Sequence, residues 1–161
     1  LTADELRRFA AWLRLNQSKR LLDVGCGSGG PTLYLARTTG CDVTGVELYE
    51  EAVETASRGA AEAGIEGRAR FVQADAARPL PLESGSFDAV LCIDAVNHLR
   101  DRQAVVADWA RLMADGGRVA FTDPLVVTAP PEAHAVRKRS SAVRAPSAPD
   151  PGSTSANSSP P

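Results

Sequence analysis

Apolar residues recur at helical spacing over the first segment, Ala3 to Leu15, where Leu6, Phe9, Ala10 and Leu13 fall on one face. Thr2-Ala3-Asp4-Glu5 precedes them as a capping box, with Thr2 as N-cap and Glu5 three residues on. The period then changes. Arg20-Leu21-Leu22-Asp23-Val24 is a short apolar run ending in glycines and predicts a strand. Pro31 suits the first turn of a helix carrying Leu33, Leu35 and Ala36, which Gly40 stops. Asp42 to Val46 predicts a second strand, and a helix follows with Glu50 and Glu51 in its first turn and Gly64 at its close. Ala69 to Val72 and Phe87 to Ile93 read as the third and fourth strands. Asp101 to Ala114 reads as a helix with Ala104, Val105, Trp109, Leu112 and Met113 as its buried face. Arg118 to Thr122 is a fifth strand, entered through the turn Asp115-Gly116-Gly117. Near-continuous apolar strands alternating with amphipathic helices predict an α/β fold, a doubly wound parallel sheet covered on both faces. The one break in the alternation is a loop-like crossover around Arg78 to Glu83.

Composition divides the chain near Ala129. The last 33 residues hold seven of the eleven prolines and no Leu, Ile, Phe, Trp, Tyr or Met. Such a stretch buries too little apolar surface to offset the entropy of ordering, so 129–161 is expected to be a disordered Pro/Ser/Ala-rich tail behind a domain at 1–128. The whole chain of 161 residues has net charge −2, which gives no electrostatic case for nucleic acid or an anionic membrane. No apolar run approaches the ~18–20 residues of a membrane span. Cys26, Cys41 and Cys92 are odd in number and scattered, arguing against a disulfide framework or a metal site and fitting a reducing cytoplasm.

The chemistry concentrates after the first two strands. Gly25-Cys26-Gly27-Ser28-Gly29-Gly30 joins a strand to a helix, where bare backbone admits close approach of a ligand and the helix N-terminus offers free N–H groups. Gly25, Gly27 and Gly30 also satisfy the dinucleotide fingerprint, and a tight turn with no ligand explains the string as well. Glu47 ends the second strand, where a carboxylate accepts two hydrogen bonds from a ribose diol. Together they point to a ligand containing adenosine.

The larger pattern selects among such ligands. Leu21 to Gly29, with Asp23 two residues before the first glycine, resembles the first motif of class I S-adenosylmethionine-dependent methyltransferases of the small-molecule type. Val43-Thr44-Gly45-Val46-Glu47 resembles their second motif and Gln73-Ala74-Asp75-Ala76 their third. Ser86 to Leu91 and Leu112 to Arg118 resemble the fourth strand and the approach to the fifth, so the likeness runs from about residue 2 to 125. It implies a Rossmann-like fold, S-adenosyl-L-methionine as cofactor, and methyl transfer to a small-molecule acceptor by in-line displacement. It also implies roles: Asp23 steers the methionine amino group. Gly25, Cys26, Gly27 and Gly29 pass their backbone along the methionine and ribose. Glu47 holds the ribose hydroxyls and Leu48 covers adenine. Asp75 and Ala76 meet the adenine edge, and Ile93 lines the pocket. A carboxylate at Asp23 suits an ammonium and a sulfonium and would repel a pyrophosphate. His98, just past the fourth strand, is the first candidate for a base toward a protonated acceptor, and Asp94 the second. A helix-start histidine bonded to backbone is the plainer reading of His98.

The chain also departs from the family. Its sheet has seven strands, the last two forming a hairpin at one edge; five are recognisable here, and strands 6 and 7 are expected to be missing. That leaves an open apolar edge on the fifth strand. Together with the start at Leu1 and the unstructured reading of Arg137-Lys138-Arg139, it suggests a truncated or frameshifted enzyme. Two alternatives stand beside the methyltransferase: an NAD-type dinucleotide-binding oxidoreductase, and a non-catalytic Rossmann-like remnant.

Overall fold

The computed structural model describes residues 1–125 and 137–144. The chain runs α1 (Ala3–Leu13), β1 (Arg20–Val24), α2 (Gly30–Thr39), β2 (Asp42–Glu47), α3 (Glu50–Glu62), β3 (Ala69–Gln73) and β4 (Phe87–Cys92). A single 3-10 turn at Val96–His98 leads to α4 (Arg102–Leu112), β5 (Met113–Leu125) and β6 (Arg137–Arg144). The sheet order is β3-β2-β1-β4-β5-β6; the first five strands are parallel and β6 lies antiparallel to β5. This is the doubly wound arrangement the alternation predicts.

Local signals act where the sequence puts them. Thr2 and Glu5 close the capping box at α1. Pro31 sits in the first turn of α2, and Gly40 ends it at φ 75°. Strand alternation then sorts side chains to two cores. Leu21, Val43, Ala89 and Leu91 face α1, α2 and α3, meeting Leu6, Leu13, Leu35 and Ala60. Leu22, Val24, Val46 and Val90 face the other way, against Val105, Trp109 and Leu112 of α4. Residues 74–86 cross from β3 to β4 without a helix, and Leu80 completes the second core.

Two expectations need correction. The fifth strand begins at Met113, not Arg118: Phe87 pairs with Met113 and Ala89 with Arg118, so residues 114–117 bulge out between consecutive rungs. Gly116 takes φ 75° there, which is why the Asp115-Gly116-Gly117 signal reads as a turn from sequence. Second, Arg137-Lys138-Arg139 was expected to be unstructured and β5 to have an open edge. Residues 137–144 instead form a strand along β5, from Leu125↔Arg137 to Arg118↔Arg144. Backbone pairing is indifferent to side-chain hydrophobicity, and β5 offers a row of unpaired N–H and C=O groups. The rest of the expected tail lies outside the described residues. Among the described residues no helix is long and apolar enough to cross a membrane.

Candidate functional site

The C-terminal ends of β1, β2 and β4 open onto a cavity of about 490 Å³, within the ~300–1,000 Å³ usual for small-molecule and cofactor sites. It lies where strand order reverses, since β1 has β2 on one side and β4 on the other. Each wall follows from a strand end.

The first wall is the loop after β1. The N–H groups of Gly25 and Cys26 both donate to the carbonyl of Val46, at 2.8 and 3.1 Å, fastening the loop to the end of β2. Gly25 takes φ 70°, and a Cβ there would stand 2.5 Å from the Cβ of Ala95, so the loop and the turn after β4 close on each other only through a glycine. Gly27 takes φ 55° and a Cβ there would meet nothing within 4 Å; its bare backbone faces open space that a ligand can enter.

The second wall is the end of β2. The Glu47 carboxylate is not a solvated strand-end charge. Its Oε2 accepts from the N–H of Gly27 at 3.0 Å, and its Oε1 from the N–H groups of Leu48 and Tyr49 at 2.8 and 3.1 Å. Three backbone donors fix its direction, and Oε2, with one partner, keeps lone-pair capacity for another donor. Leu48 and Tyr49 are exposed at the rim, and Gln73 donates to the carbonyl of Leu48 at 3.1 Å.

The third wall comes from β3 and β4. Ala74, Asp75, Ala76 and Ala77 follow β3; the Asp75 carboxylate caps its own turn by accepting from the N–H of Ala77 at 2.9 Å. Ala95, His98 and Leu99 follow β4, held by the turn bonds His98 to Ala95 and Leu99 to Val96.

Of the residues expected at the site, Gly25, Gly27, Glu47, Leu48, Asp75, Ala76 and His98 come together on this cavity. Asp23, Cys26, Gly29, Ile93 and Asp94 lie outside its lining. Gly29 is the N-cap of α2. Asp23 stands behind the glycine loop, 2% exposed, accepting from the Thr32 hydroxyl; burial pushes its carboxyl up to about 6, against the opposing pull of that bond. Cys26 is buried, and burial, then the charges of Asp23 and Glu47, push its thiol well above the ordinary range, outweighing the opposing pull of a backbone hydrogen bond. Cys92 is pushed up to about 12 chiefly by burial, with Asp23 adding to it. Both stay protonated and unreactive near neutrality. Asp94 sits at φ 52°, its carboxylate accepting from the Thr122 hydroxyl at 2.9 Å.

Sequence reasoning gave no site role to Ser28, Val46, Tyr49, Ala52, Ala74, Ala77, Ala95 and Leu99, which complete the lining. Ser28, Val46 and Ala74 fall inside motifs already singled out; the others stand near Glu47, Asp75 or His98 in sequence, and of these only Tyr49 carries a polar group. Among the described residues the lining holds two carboxylates and one histidine and no Lys or Arg. The cavity thus joins bare glycine backbone, a carboxylate held by three N–H donors and an exposed apolar rim.

The fold is a doubly wound α/β domain with its cavity where the strand order reverses. The chain belongs to the methyltransferase domain family, whose model matches residues 22–121. It is 40% identical over 134 residues to the 27-O-demethylrifamycin SV methyltransferase of Amycolatopsis mediterranei (strain S699), covering 82% of this chain and 49% of that protein. The chain thus spans about half the length of the curated relatives it matches. Among solved structures it resembles the (4+2)-cyclase SpnF at TM-score 0.73 and 28% identity, covering 78% of this chain and 46% of that one. It also resembles a geranyl diphosphate methyltransferase in complex with SAM at TM-score 0.69 and 27% identity, covering 74% and 48%.

Proposed function

We propose that this chain binds S-adenosyl-L-methionine in the cavity between β1, β2 and β4 and serves methyl transfer to a small-molecule acceptor. One observation carries the reading: a glycine-backed cavity whose charged lining is Glu47 and Asp75, with no Lys or Arg among the described residues. When bound, the cofactor supplies an electrophilic methyl group on a sulfonium. The oxidoreductase alternative would set a pyrophosphate at the glycine loop, in front of the buried Asp23 carboxylate and with no Lys or Arg in the described lining to offset its charge. One structural neighbour is named a cyclase, so the fold by itself does not specify methyl transfer. The lining charge and the family are what favour it.

Each residue then has a task its geometry suits. Glu47, its direction fixed by three N–H donors, accepts from ribose hydroxyls through the spare capacity of Oε2. Leu48 lies against one face of adenine, and Asp75 and Ala76 meet its edge. Gly25 and Gly27 let the backbone run beside the ligand. Asp23, behind the loop, sets a negative potential toward the amino group, directly or through a bridging water. His98 stands on the turn after β4, where an acceptor would approach, and can take a proton from an acceptor that arrives protonated. The walls hold the reacting groups in line and exclude water.

Glu47→Ala tests the reading. Losing a charged acceptor to two hydroxyls costs roughly 2–4 kcal/mol, about 30- to 1000-fold in affinity for S-adenosylhomocysteine by calorimetric titration. Glu47→Gln, which keeps one acceptor oxygen, should lose less. Unchanged affinity in Glu47→Ala would remove this residue from the site.

A further inference from the structure

The turn that forms the cavity's third wall is held by a residue one strand away. Asp94 is one of two non-glycine residues among the described ones with positive φ, at 52°. Its N–H donates to the Thr122 hydroxyl oxygen at 2.7 Å, and the same hydroxyl donates to the Asp94 carboxylate at 2.9 Å. Thr122 is 5% exposed, on β5, and lines no part of the cavity. A single hydroxyl therefore accepts from the backbone and donates to the side chain of the residue whose left-handed conformation redirects the chain out of β4. The next residue, Ala95, is the one that closes on Gly25, and His98 and Leu99 follow within the same turn.

We propose that Thr122 is a positioning residue for the cofactor site: by clamping Asp94 in the left-handed region it sets the wall made by Ala95, His98 and Leu99 against the glycine loop. The assignment rests on the methyltransferase reading above for its ligand, not for its geometry. Without the hydroxyl, Asp94 loses both of these bonds and the left-handed turn is held less firmly, so the backbone shifts toward negative φ and Ala95 away from Gly25. The wall then closes less well on the ligand.

The test is calorimetric titration of the full chain with S-adenosylhomocysteine, alongside amide NMR without ligand. Thr122→Val keeps shape and apolar contact and removes the hydroxyl; we expect affinity about tenfold weaker, with the Gly25, Ala95 and His98 amide resonances displaced. Thr122→Ser, which restores both bonds, should bind within about threefold of the parent. Adding Asp94→Gly to Thr122→Val should recover most of the affinity, because glycine takes φ 52° unaided; a residue that merely anchored β5 would not be rescued this way. Equal binding by Thr122→Val and the parent, or no rescue by glycine, overturns the proposal. Should Thr122→Val fail to fold, Asp94→Val and Asp94→Gly carry the same test, since a β-branched residue is barred from the turn and glycine is not. Equal affinity in that pair overturns it too. If the parent chain does not bind, the functional reading falls, and the amide shifts alone decide the clamp: displacement in Thr122→Val with recovery in Thr122→Ser supports it, and unmoved resonances overturn it.

Discussion

Asp23 shows at a single residue how a site is retained against stability. Its carboxyl, ordinarily near 3.8, is raised to about 6 by burial behind the glycine loop. The folded chain thus holds this proton more tightly than the unfolded one. The fold is therefore more stable below about pH 3.8 than above about pH 6, by about 2–3 kcal/mol, the difference being lost as pH rises between the two. Asp23→Asn removes the charge while an amide oxygen still accepts from Thr32. The variant should unfold at a higher temperature than the parent at pH 8, with the difference vanishing near pH 4, and should bind S-adenosylhomocysteine more weakly. A melting difference independent of pH would mean that the charge is not the cost. The sequence signalled Asp23 by its place before Gly25, but it gave no sign that the side chain lies beneath the loop and outside the cavity lining. That depends on α2 setting Thr32 over it, a contact made across the strand–helix unit.

Elements were legible where local chemistry decides them. Capping at Thr2, the Pro31 start and the Gly40 stop act over a few residues, and the five parallel strands declare themselves by apolar runs. The start of β5 and the whole of β6 were not legible, because both are settled by partners. Met113 pairs with Phe87 only through a bulge, and Arg137–Arg144 has no apolar period to read. The helix-free crossover was visible as a loop, but what holds it was not. Arg111 of α4 donates to the carbonyls of Leu82 and Leu80, each at 2.9 Å, and Asp108 accepts from the Leu80 N–H at 2.9 Å. The Arg111–Asp108 pair joins these two anchors at 2.7 Å. Planar, multidentate donation of this kind is specific to arginine. Arg111→Met should lower stability to urea by about 1–3 kcal/mol with an unchanged slope, and Arg111→Lys should fall between. A loss under ~0.5 kcal/mol in the methionine variant would show that Leu80 packing alone pins the crossover.

At the scale of the molecule, the candidate site lies at one end of the sheet and β6 covers one edge. The parallel strands bring the glycine loop, Glu47, Asp75 and His98, as much as 73 residues apart in sequence, to a single opening. At the edge, β6 covers the backbone of β5 over eight paired residues. A chain ended before Arg137 would expose that apolar edge and should scatter more light at equal concentration than the full chain. Equal scattering by both would show that the edge needs no cover.

That the cavity is built for a cationic adenosyl ligand is tested most directly by calorimetric titration of the full chain with S-adenosyl-L-methionine, whose sulfonium carries the charge, beside an identical titration with NAD. Saturable binding of the first and none of the second is the predicted result. Saturable binding of NAD alone would contradict it.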